Sequence, residues 1–249
     1  MEYIIHKNRP GLLGDVATFL GLMGVNIVMI NGIARQKRGL LISCSDPATV
    51  VTLKNALARA TNIQLTGFRR PTFIDRINLQ HGKIIRQDPA KPDTYMFIRD
   101  ELGMLVDFLG EILSKQKPIV GLRGMPRVGK SEAAIASCVH ANKKWVLVSS
   151  TLMRQVMRNS LMDDERTSEC VYIIDGIVSS IRGTPQHQEL VREVLEMSNP
   201  KIIEHPDIFI RELGFPAELV DYTLELKRTE EEIIDYELVS QSFSSFDIS

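Results

Sequence analysis

The sequence has no surplus of basic residues and no long apolar run. Its 30 Lys and Arg are balanced by 31 Asp and Glu, for a formal charge of -1. Nothing therefore drives sequence-independent attraction to nucleic acid or to anionic lipid. The longest apolar stretch, residues 16–30, is interrupted by Asn26 and is shorter than the roughly 20 residues of a membrane-spanning helix. We therefore expect that the protein binds neither nucleic acid nor a membrane.

Cysteine is also scarce. The three cysteines, Cys44, Cys138 and Cys170, lie far apart in apolar surroundings and have neither metal-ligand spacing nor an even number for disulfides. The first residues of the chain lack the basic region of a signal peptide. We expect a cytoplasmic protein whose cysteines are small buried hydrophobic residues.

Residues 1–72 have the pattern strand, helix, strand, strand, helix, strand. After a turn at Pro10 and Gly11, apolar residues recur at helical spacing. Two strands rich in Val, Ile and Leu then flank a polar run, which favours a hairpin. Asp46 and Pro47 supply the N-cap and first position of a second helix. The pattern predicts a small α+β domain.

The segment from Asn8 to Gly14, followed by Val25-Asn26-Ile27, resembles an ACT domain, a ferredoxin-like module. The resemblance implies a homodimer and a small effector, such as an amino acid, bound beside the turn. Glycine in the turn lets backbone N–H groups approach a carboxylate at the start of the helix. A helix-start turn without a ligand, in a module that only mediates assembly, is the alternative. The effector-binding residues implied are Asn8, Pro10, Gly11, Leu12, Leu13 and Asn26.

Residues 73–92 are predicted to be a linker, because they end in the extended, proline-containing run 88–92. The second domain is then 93–249. Asp93 is expected to cap a helix that runs to about Ser114. This helix either covers the second domain or forms a dimer contact, because its apolar residues alternate in spacing like a coiled-coil seam. These residues are Ile98, Leu102, Leu105, Leu109 and Ile112.

A phosphate-binding motif begins at Gly124. The segment through Ser131 fits the P-loop pattern G-x-x-x-x-G-K-[ST], with an apolar strand before it and an Ala-rich helix after it. In such a loop backbone N–H groups and the helix N-terminus surround an anion, Lys130 reaches the β- and γ-phosphates, and Ser131 binds Mg²⁺. The predicted cofactors are Mg²⁺ and ATP or another nucleoside triphosphate. The predicted nucleotide-binding residues are Gly124, Met125, Pro126, Arg127, Val128, Gly129, Lys130, Ser131 and Glu132.

A carboxylate for the magnesium ion is predicted at Asp175. It ends the apolar run 171–175, as the acidic residue of a Walker B strand does. Together with Ser131 it is the predicted metal site. Because apolar strands that end in Asp are common, a purely structural role for Asp175 is the alternative.

Strands and helices alternate through the second domain, which predicts an α/β fold with a parallel sheet covered by helices on both faces. Four segments resemble nucleoside monophosphate kinases: the loop, 149–154, 174–176 and 220–225. The resemblance implies that Arg154 pairs with an acceptor phosphate and that Lys130, Asp175 and Arg154 are catalytic. Too few residues follow Glu225 for the kinase lid. As a whole the chain resembles the YmfK-like family, which does not define an activity.

Two functional hypotheses follow. The first is a magnesium-dependent small-molecule phosphotransferase or NTPase controlled by the ACT-like domain. The second is a regulator that senses a nucleotide or an amino acid without turnover. The sequence does not define the phosphoryl acceptor, the preference for ATP or GTP, or a general base.

Overall fold

The computed structural model describes residues 1–115, 117–151 and 156–235. The chain divides into an N-terminal unit, Met1–Ile85, and a C-terminal unit, Arg86–Ser249. Both units contain helices and sheets, and the α/β class is confirmed. Within the described ranges no helix combines the length and the apolar character needed to cross a membrane.

The N-terminal unit is a four-stranded antiparallel sheet with three helices. The strands lie in the order β2-β3-β1-β4. Helices α1 and α2 pack on one face, where Leu20 and Leu53 are fully buried against Tyr3. The elements are β1 (Glu2–Ile5), α1 (Leu12–Leu22), β2 (Asn26–Gly32), β3 (Lys37–Ser43), α2 (Pro47–Leu57), β4 (Ile63–Gly67) and α3 (Phe73–His81).

The segment predicted to be a linker begins with helix α3. The Thr72 hydroxyl accepts a hydrogen bond from Asp75 N at 3.2 Å, and the Asp75 carboxylate accepts one from Thr72 N at 2.7 Å, which makes a capping box. Burial works to raise the pKa of Asp75, but hydrogen bonds from Arg69 and Thr72 outweigh it and lower this pKa to about 2. The linker prediction over 73–92 is wrong, because residues 73–81 form this helix. The sequence pattern did not indicate a helix start here, because the capping box has Asp where Glu or Gln is usual.

The start of the C-terminal unit also differs from the prediction. Residues 93–98 belong to strand β6 (Lys91–Ile98), which pairs antiparallel with β5 (Arg86–Asp88), and helix α4 (Leu102–Lys115) begins only after a short turn. Tyr95 and Phe97 lie on one side of β6 and contact Phe108 of α4, with ring centroids 4.6 and 5.7 Å apart. Alternating burial in this segment favours a strand, so the predicted helix start at Asp93 is wrong.

The C-terminal unit is built on a seven-stranded sheet in the order β5-β6-β13-β7-β12-β11-β8. All neighbouring strands are parallel except β5 and β6. The remaining elements are β7 (Ile119–Arg123), α5 (Lys130–His140), β8 (Lys144–Leu147), β9 (Ser149–Ser150), β10 (Val156–Met157), β11 (Cys170–Asp175), α6 (Gly176–Ile181), α7 (Pro185–Glu196), β12 (Lys201–Glu204), α8 (Pro206–Leu213) and β13 (Tyr222–Lys227).

Strand β12 lies between β7 and β11, and the sequence analysis did not identify it. Its last residue, Glu204, is in register with Leu122 of β7 and with Asp175 of β11. Ile203 packs in the core with α7 and α8. Because successive side chains of a strand alternate between faces, Glu204 points to the opposite face. The carboxyl ends of β7, β12 and β11 therefore meet at one edge of the sheet, where parallel sheets place their ligand sites.

Candidate functional site

The loop between β7 and α5 requires glycine at both ends. Gly124 has φ +152° and Gly129 has φ +110°. A Cβ at Gly124 would lie 2.4 Å from the Leu226 carbonyl oxygen, and one at Gly129 would lie 1.8 Å from Arg99 Nη1. Arg127 also has a positive φ, +62°. The loop is a tight left-handed curve that leads into the N-terminus of an 11-residue helix, which is the setting of an anion site.

Lys130 lies inside this curve. Its Nζ donates to the carbonyl oxygens of Gly124 at 2.9 Å and Met125 at 3.0 Å, and the side chain is buried. Burial lowers the pKa of Lys130, while Glu204 and Asp175 work to raise it. A phosphate oxygen would accept a stronger hydrogen bond from this ammonium group than a neutral carbonyl does. The lysine is thus placed to exchange loop carbonyls for phosphate.

Glu204 is a site residue that the sequence analysis missed. It is buried, and its carboxyl group hydrogen bonds to the Ser131 hydroxyl. Burial and the nearby Asp175 raise the pKa of Glu204 to about 7, against the opposing effects of Lys130 and Ser131. A carboxyl group with such a pKa can accept a proton near neutral pH. The available sequence signal was a short apolar pair followed by Glu204, His205 and Pro206, a strand end with a helix-starting proline.

Asp175 has a different environment from Glu204. Its Oδ1 accepts from Ile177 N at 3.0 Å and Val178 N at 3.2 Å, and its Oδ2 accepts from Thr151 N at 3.2 Å and Thr151 Oγ1 at 3.0 Å. These four bonds fill the acceptor positions of a carboxylate. Asp175 is the N-cap of α6. The carboxyl group in contact with Ser131 is that of Glu204.

The residue after Glu204 fixes the end of β12. His205 has a left-handed backbone with φ +55°, and its N–H donates to the Leu122 carbonyl at 3.0 Å. Its side chain is buried, and burial together with the Lys130 charge holds its pKa well below the usual range. A Cβ on Gly176 would lie 2.5 Å from the Glu204 carbonyl oxygen. Glu204 is therefore held between rigid backbone on both sides.

Two arginines from outside the motif contact the loop. Arg99 Nη1 donates to the Val128 carbonyl at 2.6 Å and lies 3.1 Å from Glu132 Oε2. Arg228 Nη2 donates to the Pro126 carbonyl at 3.1 Å. Both come from segments that directly follow strands β6 and β13. Arg228 also lies 4.0 Å from Glu232, so each arginine at the outer rim of the loop has a carboxylate partner.

Two other residues of the predicted nucleotide site pack into the protein interior. Val128 is buried, and Met125 packs against Ile177 and Ile208 beneath the loop. Arg154 lies outside the described residues. Its predicted contact with an acceptor phosphate stays a prediction.

The donor set fits a magnesium ion that is bound mainly through a nucleotide. In the described ranges, no three or more His, Cys, Asp or Glu side chains come together as a metal site. Mg²⁺ usually keeps several waters and takes only one or two protein ligands besides substrate phosphates. Ser131 offers one such oxygen atom beside the Glu204 carboxyl group, whereas the acceptor positions of Asp175 are already filled.

The turn predicted to bind an effector already has a carboxylate beside it, that of Asp15. Gly11 has φ +82° and precedes α1, and Arg9 pairs with Asp15 across the turn. Because Asp15 lies in the first turn of the helix, its charge offsets the positive helix end that an effector carboxylate would use. Leu12 is buried in the core of the unit. The other residues of the predicted set are exposed: Asn8, Pro10, Leu13 and Asn26.

The fold is that of an α/β protein in which the loop between β7 and α5 lies at the carboxyl edge of a mostly parallel sheet. The chain matches the family described as "Protein of unknown function (DUF3388)" over residues 65–247. It is also similar to the "Uncharacterized protein YmfK" of Bacillus subtilis (strain 168), with 44% identity over 254 residues, covering 99% of this chain and 94% of the relative. The chain belongs to this YmfK-like, DUF3388 family. The matched range includes the loop, Asp175 and Glu204.

Proposed function

We propose that the C-terminal unit binds a nucleoside triphosphate with Mg²⁺ and transfers its terminal phosphoryl group to water or to a small acceptor. The observation that carries the proposal is the convergence of Lys130, Ser131 and Glu204 at the carboxyl ends of adjacent parallel strands. A buried ammonium, a hydroxyl and a carboxyl of raised pKa are the groups that phosphoryl transfer uses.

Each residue has a distinct part in the proposal. Lys130 and the loop backbone hold the β- and γ-phosphates, and Ser131 binds the metal. When bound, Mg²⁺ neutralises charge on the phosphate oxygens. Glu204 takes the proton of the attacking hydroxyl or water, which supplies the general base that the sequence alone did not define. Asp175 caps α6 and keeps its hydrogen bonds to α6 and Thr151 throughout the reaction. Its negative charge acts on Lys130 and Glu204.

Positive charge around the phosphates is proposed to come from the arginines at the rim. Arg99 and Arg228 already contact loop carbonyls and carry permanent charge. A phosphate would compete for them with Glu132 and Glu232. Arg154 would hold the acceptor. Electrostatic stabilisation of this kind usually contributes more to the rate than any other single effect in such reactions.

The N-terminal unit is proposed to be an ACT-like module that pairs two copies of the chain and controls the C-terminal unit. The support is the strand order β2-β3-β1-β4 with two helices on one face, which is the arrangement expected of a ferredoxin-like module. Its helical and strand elements follow the order predicted from the sequence.

Calorimetric titration of the full chain with ATP and GTP in the presence of Mg²⁺, combined with an assay for the nucleoside diphosphate that both hydrolysis and transfer to an acceptor produce, tests the proposal. We expect binding and turnover for the wild type and loss of both for Lys130→Ala, because the ammonium group in the loop is removed. Lys144→Ala is the matched control, since Lys144 is an exposed lysine at the start of β8.

Two outcomes would contradict different parts of the proposal, the turnover and the nucleotide site. Binding that depends on Lys130 with no formation of nucleoside diphosphate, even when candidate acceptors are added, would leave the nucleotide-sensing regulator as the function. No binding by either nucleotide, with an unchanged melting temperature, would remove the nucleotide site itself, because ligand at 100 times its Kd should add about 2.7 kcal/mol of stability.

A further inference from the structure

The N-terminal sheet carries a cavity on the face opposite α1 and α2. Its volume is about 220 Å³. Sheet residues such as Met29 and Leu41 form one wall, and the segment from Arg69 to α3 forms the other. The space is part of one unit and is separate from the phosphate loop and from the turn at Gly11.

Helix α3 is fixed at both ends, which keeps this space open. At its C-terminal end, Asn31 Nδ2 donates to the Leu79 carbonyl at 2.9 Å. The Leu79 side chain packs onto Gly39, where a Cβ would lie 3.0 Å from Leu79 Cδ1. At its N-terminal end, Asp75 accepts hydrogen bonds from Thr72 and pairs with Arg69. The C-terminal end of the helix is thus held on the sheet by Asn31 and Gly39, and its N-terminal end is held by Arg69 in the segment that leaves β4.

The charges around the cavity favour an anion. Glu2 pairs with Lys37, and Asp75 pairs with Arg69, so both acidic groups of the lining are already neutralised. Arg76 also lines the cavity, and its side chain is exposed. Its guanidinium forms no hydrogen bond or ion pair with any residue in the ranges that the structure describes. Met1 also lines the cavity, and its terminal ammonium donates to the Leu40 carbonyl at 3.0 Å. Its charge adds to that of Arg76, so the rim of this largely apolar space has a net positive charge.

The size of the cavity limits the ligand. The volume of about 220 Å³ is below the roughly 300–1,000 Å³ of pockets that hold drug-sized ligands, so a smaller molecule fits it better. Apolar walls with few polar groups are typical of small-molecule sites. A ligand of this size has room for one carboxylate at Arg76 and a short hydrocarbon chain against Met29, Leu41 and Leu79.

We propose that this cavity binds a small monocarboxylate with an apolar chain. An amine is disfavoured, because the two lining carboxylates already have cationic partners. The proposal does not depend on nucleotide binding by the C-terminal unit. It gives the N-terminal unit a ligand site that lies on the other side of the sheet from α1.

Hexanoate is a suitable probe, with hexanol and hexylamine as the neutral and cationic analogues of equal chain length. Full-length protein with ¹³C-methyl methionine is titrated with each compound and followed by NMR. We expect hexanoate to shift the Met29 methyl signal in a saturable manner and to leave the Met23 signal unchanged, because Met23 packs on the other face of the sheet. Hexanol should bind more weakly, and hexylamine should not bind.

Two variants separate the contribution of the Arg76 charge to ligand affinity from the contribution of the cavity. Arg76→Gln should weaken hexanoate binding about fivefold, as expected for an exposed ionic contact, and leave hexanol binding unchanged. Arg59→Gln is the matched control, because Arg59 is an exposed arginine of the same unit outside the cavity. Leu41→Trp should fill the cavity and abolish binding of both compounds, and it keeps the Met29 methyl signal as the reporter. Equal affinity for hexanoate and hexanol, an unchanged affinity in Arg76→Gln, or no saturable shift of Met29 would each overturn the proposal.

Discussion

The Ser131 hydroxyl and the Glu204 carboxyl hydrogen bond to each other, although 73 positions separate them in the chain. The contact exists because β12 inserts between β7 and β11, and it brings the end of one strand to the first turn of the helix that follows another. Glu204, rather than Asp175, is the carboxyl group that touches the predicted metal ligand.

Replacement of Glu204 by Gln tests its assignment as the base. The substitution keeps the size and a hydrogen-bond acceptor for Ser131 but cannot take up a proton. We expect nucleotide affinity within a few fold of wild type and a turnover rate lower by about 10²–10⁴, the usual contribution of general base catalysis. The steady-state rate of nucleoside diphosphate formation gives the turnover, and calorimetric titration gives the affinity.

Asp175→Asn is the comparison for this experiment. The asparagine side chain would keep one acceptor oxygen but would lose the negative charge and one pair of hydrogen bonds to Thr151 or α6. The loss should therefore appear in stability as well as in turnover. Equal turnover in Glu204→Gln and wild type would contradict the role assigned to Glu204.

Replacement of Gly129 by Ala tests the geometry of the loop. The backbone at Gly129 has φ +110°, and the added Cβ would meet Arg99 Nη1 at 1.8 Å. We expect the free energy of unfolding to fall by about 1–3 kcal/mol from the backbone strain alone. In an Arg99→Ala background the loss should be smaller, because the side-chain clash is gone while the strain remains. Urea unfolding of the four proteins gives the coupling between the two positions.

Gly14→Ala is the matched control for Gly129→Ala. Gly14 lies inside α1, and a Cβ there would meet nothing within 4 Å. Alanine should therefore stabilise this position by about 0.5–1 kcal/mol through its helix propensity. If Gly129→Ala had the same effect as Gly14→Ala, the left-handed conformation of the phosphate loop would be wrong.

The parts of the fold that could be predicted have local signals. The strand-helix order of residues 1–72 follows from side-chain periodicity and from caps such as Asp46 and Pro47, and α2 begins where they predict. The loop from Gly124 to Ser131 was recognisable because its spacing is fixed by short-range geometry. In both cases the determinants lie within a few residues of one another.

The missed parts depend on partners distant in sequence. Residues 201–204 are too few to show a period, and they form a strand because β7 and β11 pair with them on both sides. Glu204 was therefore not connected to Ser131. Residues 93–98 were interpreted as helical from their continuity with α4, but Tyr95 and Phe97 are buried by packing on Phe108. No local pattern defines which strand lies beside which.

The three cysteines should differ sharply in their reaction with iodoacetamide. Burial raises the pKa of Cys138 to about 12, so almost no thiolate exists at pH 8. Cys170 is buried, whereas Cys44 is only partly buried. Mass spectrometry of native protein should find Cys44 labelled first and the other two labelled only after denaturation. Cys44→Ser should remove the fast-labelled species, and fast labelling at Cys138 would contradict the packing of α5.

A buried hydrogen-bond chain beneath the site predicts a pH dependence of stability. Asp175 N donates to Ser149 Oγ at 2.8 Å, Ser149 Oγ lies 2.7 Å from Ser179 Oγ, and Ser179 Oγ lies 2.9 Å from His187 Nε2. His187 Nδ1 lies 2.6 Å from the Arg158 carbonyl oxygen, which can only accept. Nδ1 must therefore carry the proton. With a neutral imidazole Nε2 accepts from Ser179; with an imidazolium Nε2 would donate to Ser179, and the chain would end in the bond from Ser149 Oγ to the Asp175 carbonyl at 3.2 Å. Burial disfavours the charged imidazolium and so favours the first direction.

Burial lowers the pKa of His187, with the Arg158 carbonyl acting in the opposite direction. A lowered folded-state pKa means that, below the ordinary value of 6.5, the unfolded chain binds a proton that the folded chain does not. The stability contributed by this group is complete above pH 6.5 and declines as the pH falls toward the folded pKa. Glu204, with a raised pKa, acts with the opposite sign between its ordinary value of 4.5 and about 7.

The contribution of His187 can be isolated by comparison with His187→Gln. At pH 7.5 the variant should be less stable by about 1–3 kcal/mol, because Ser179 and the Arg158 carbonyl lose well-aligned partners in a buried site. Between pH 7 and 5.5 the stability difference between wild type and variant should shrink, since only the wild type has an imidazole that resists protonation. Urea unfolding at these pH values, repeated in a Glu204→Gln background, separates the two titrating groups. A difference that grows as the pH falls would show that His187 is already protonated in the fold, and the serine chain would then run in the reverse direction.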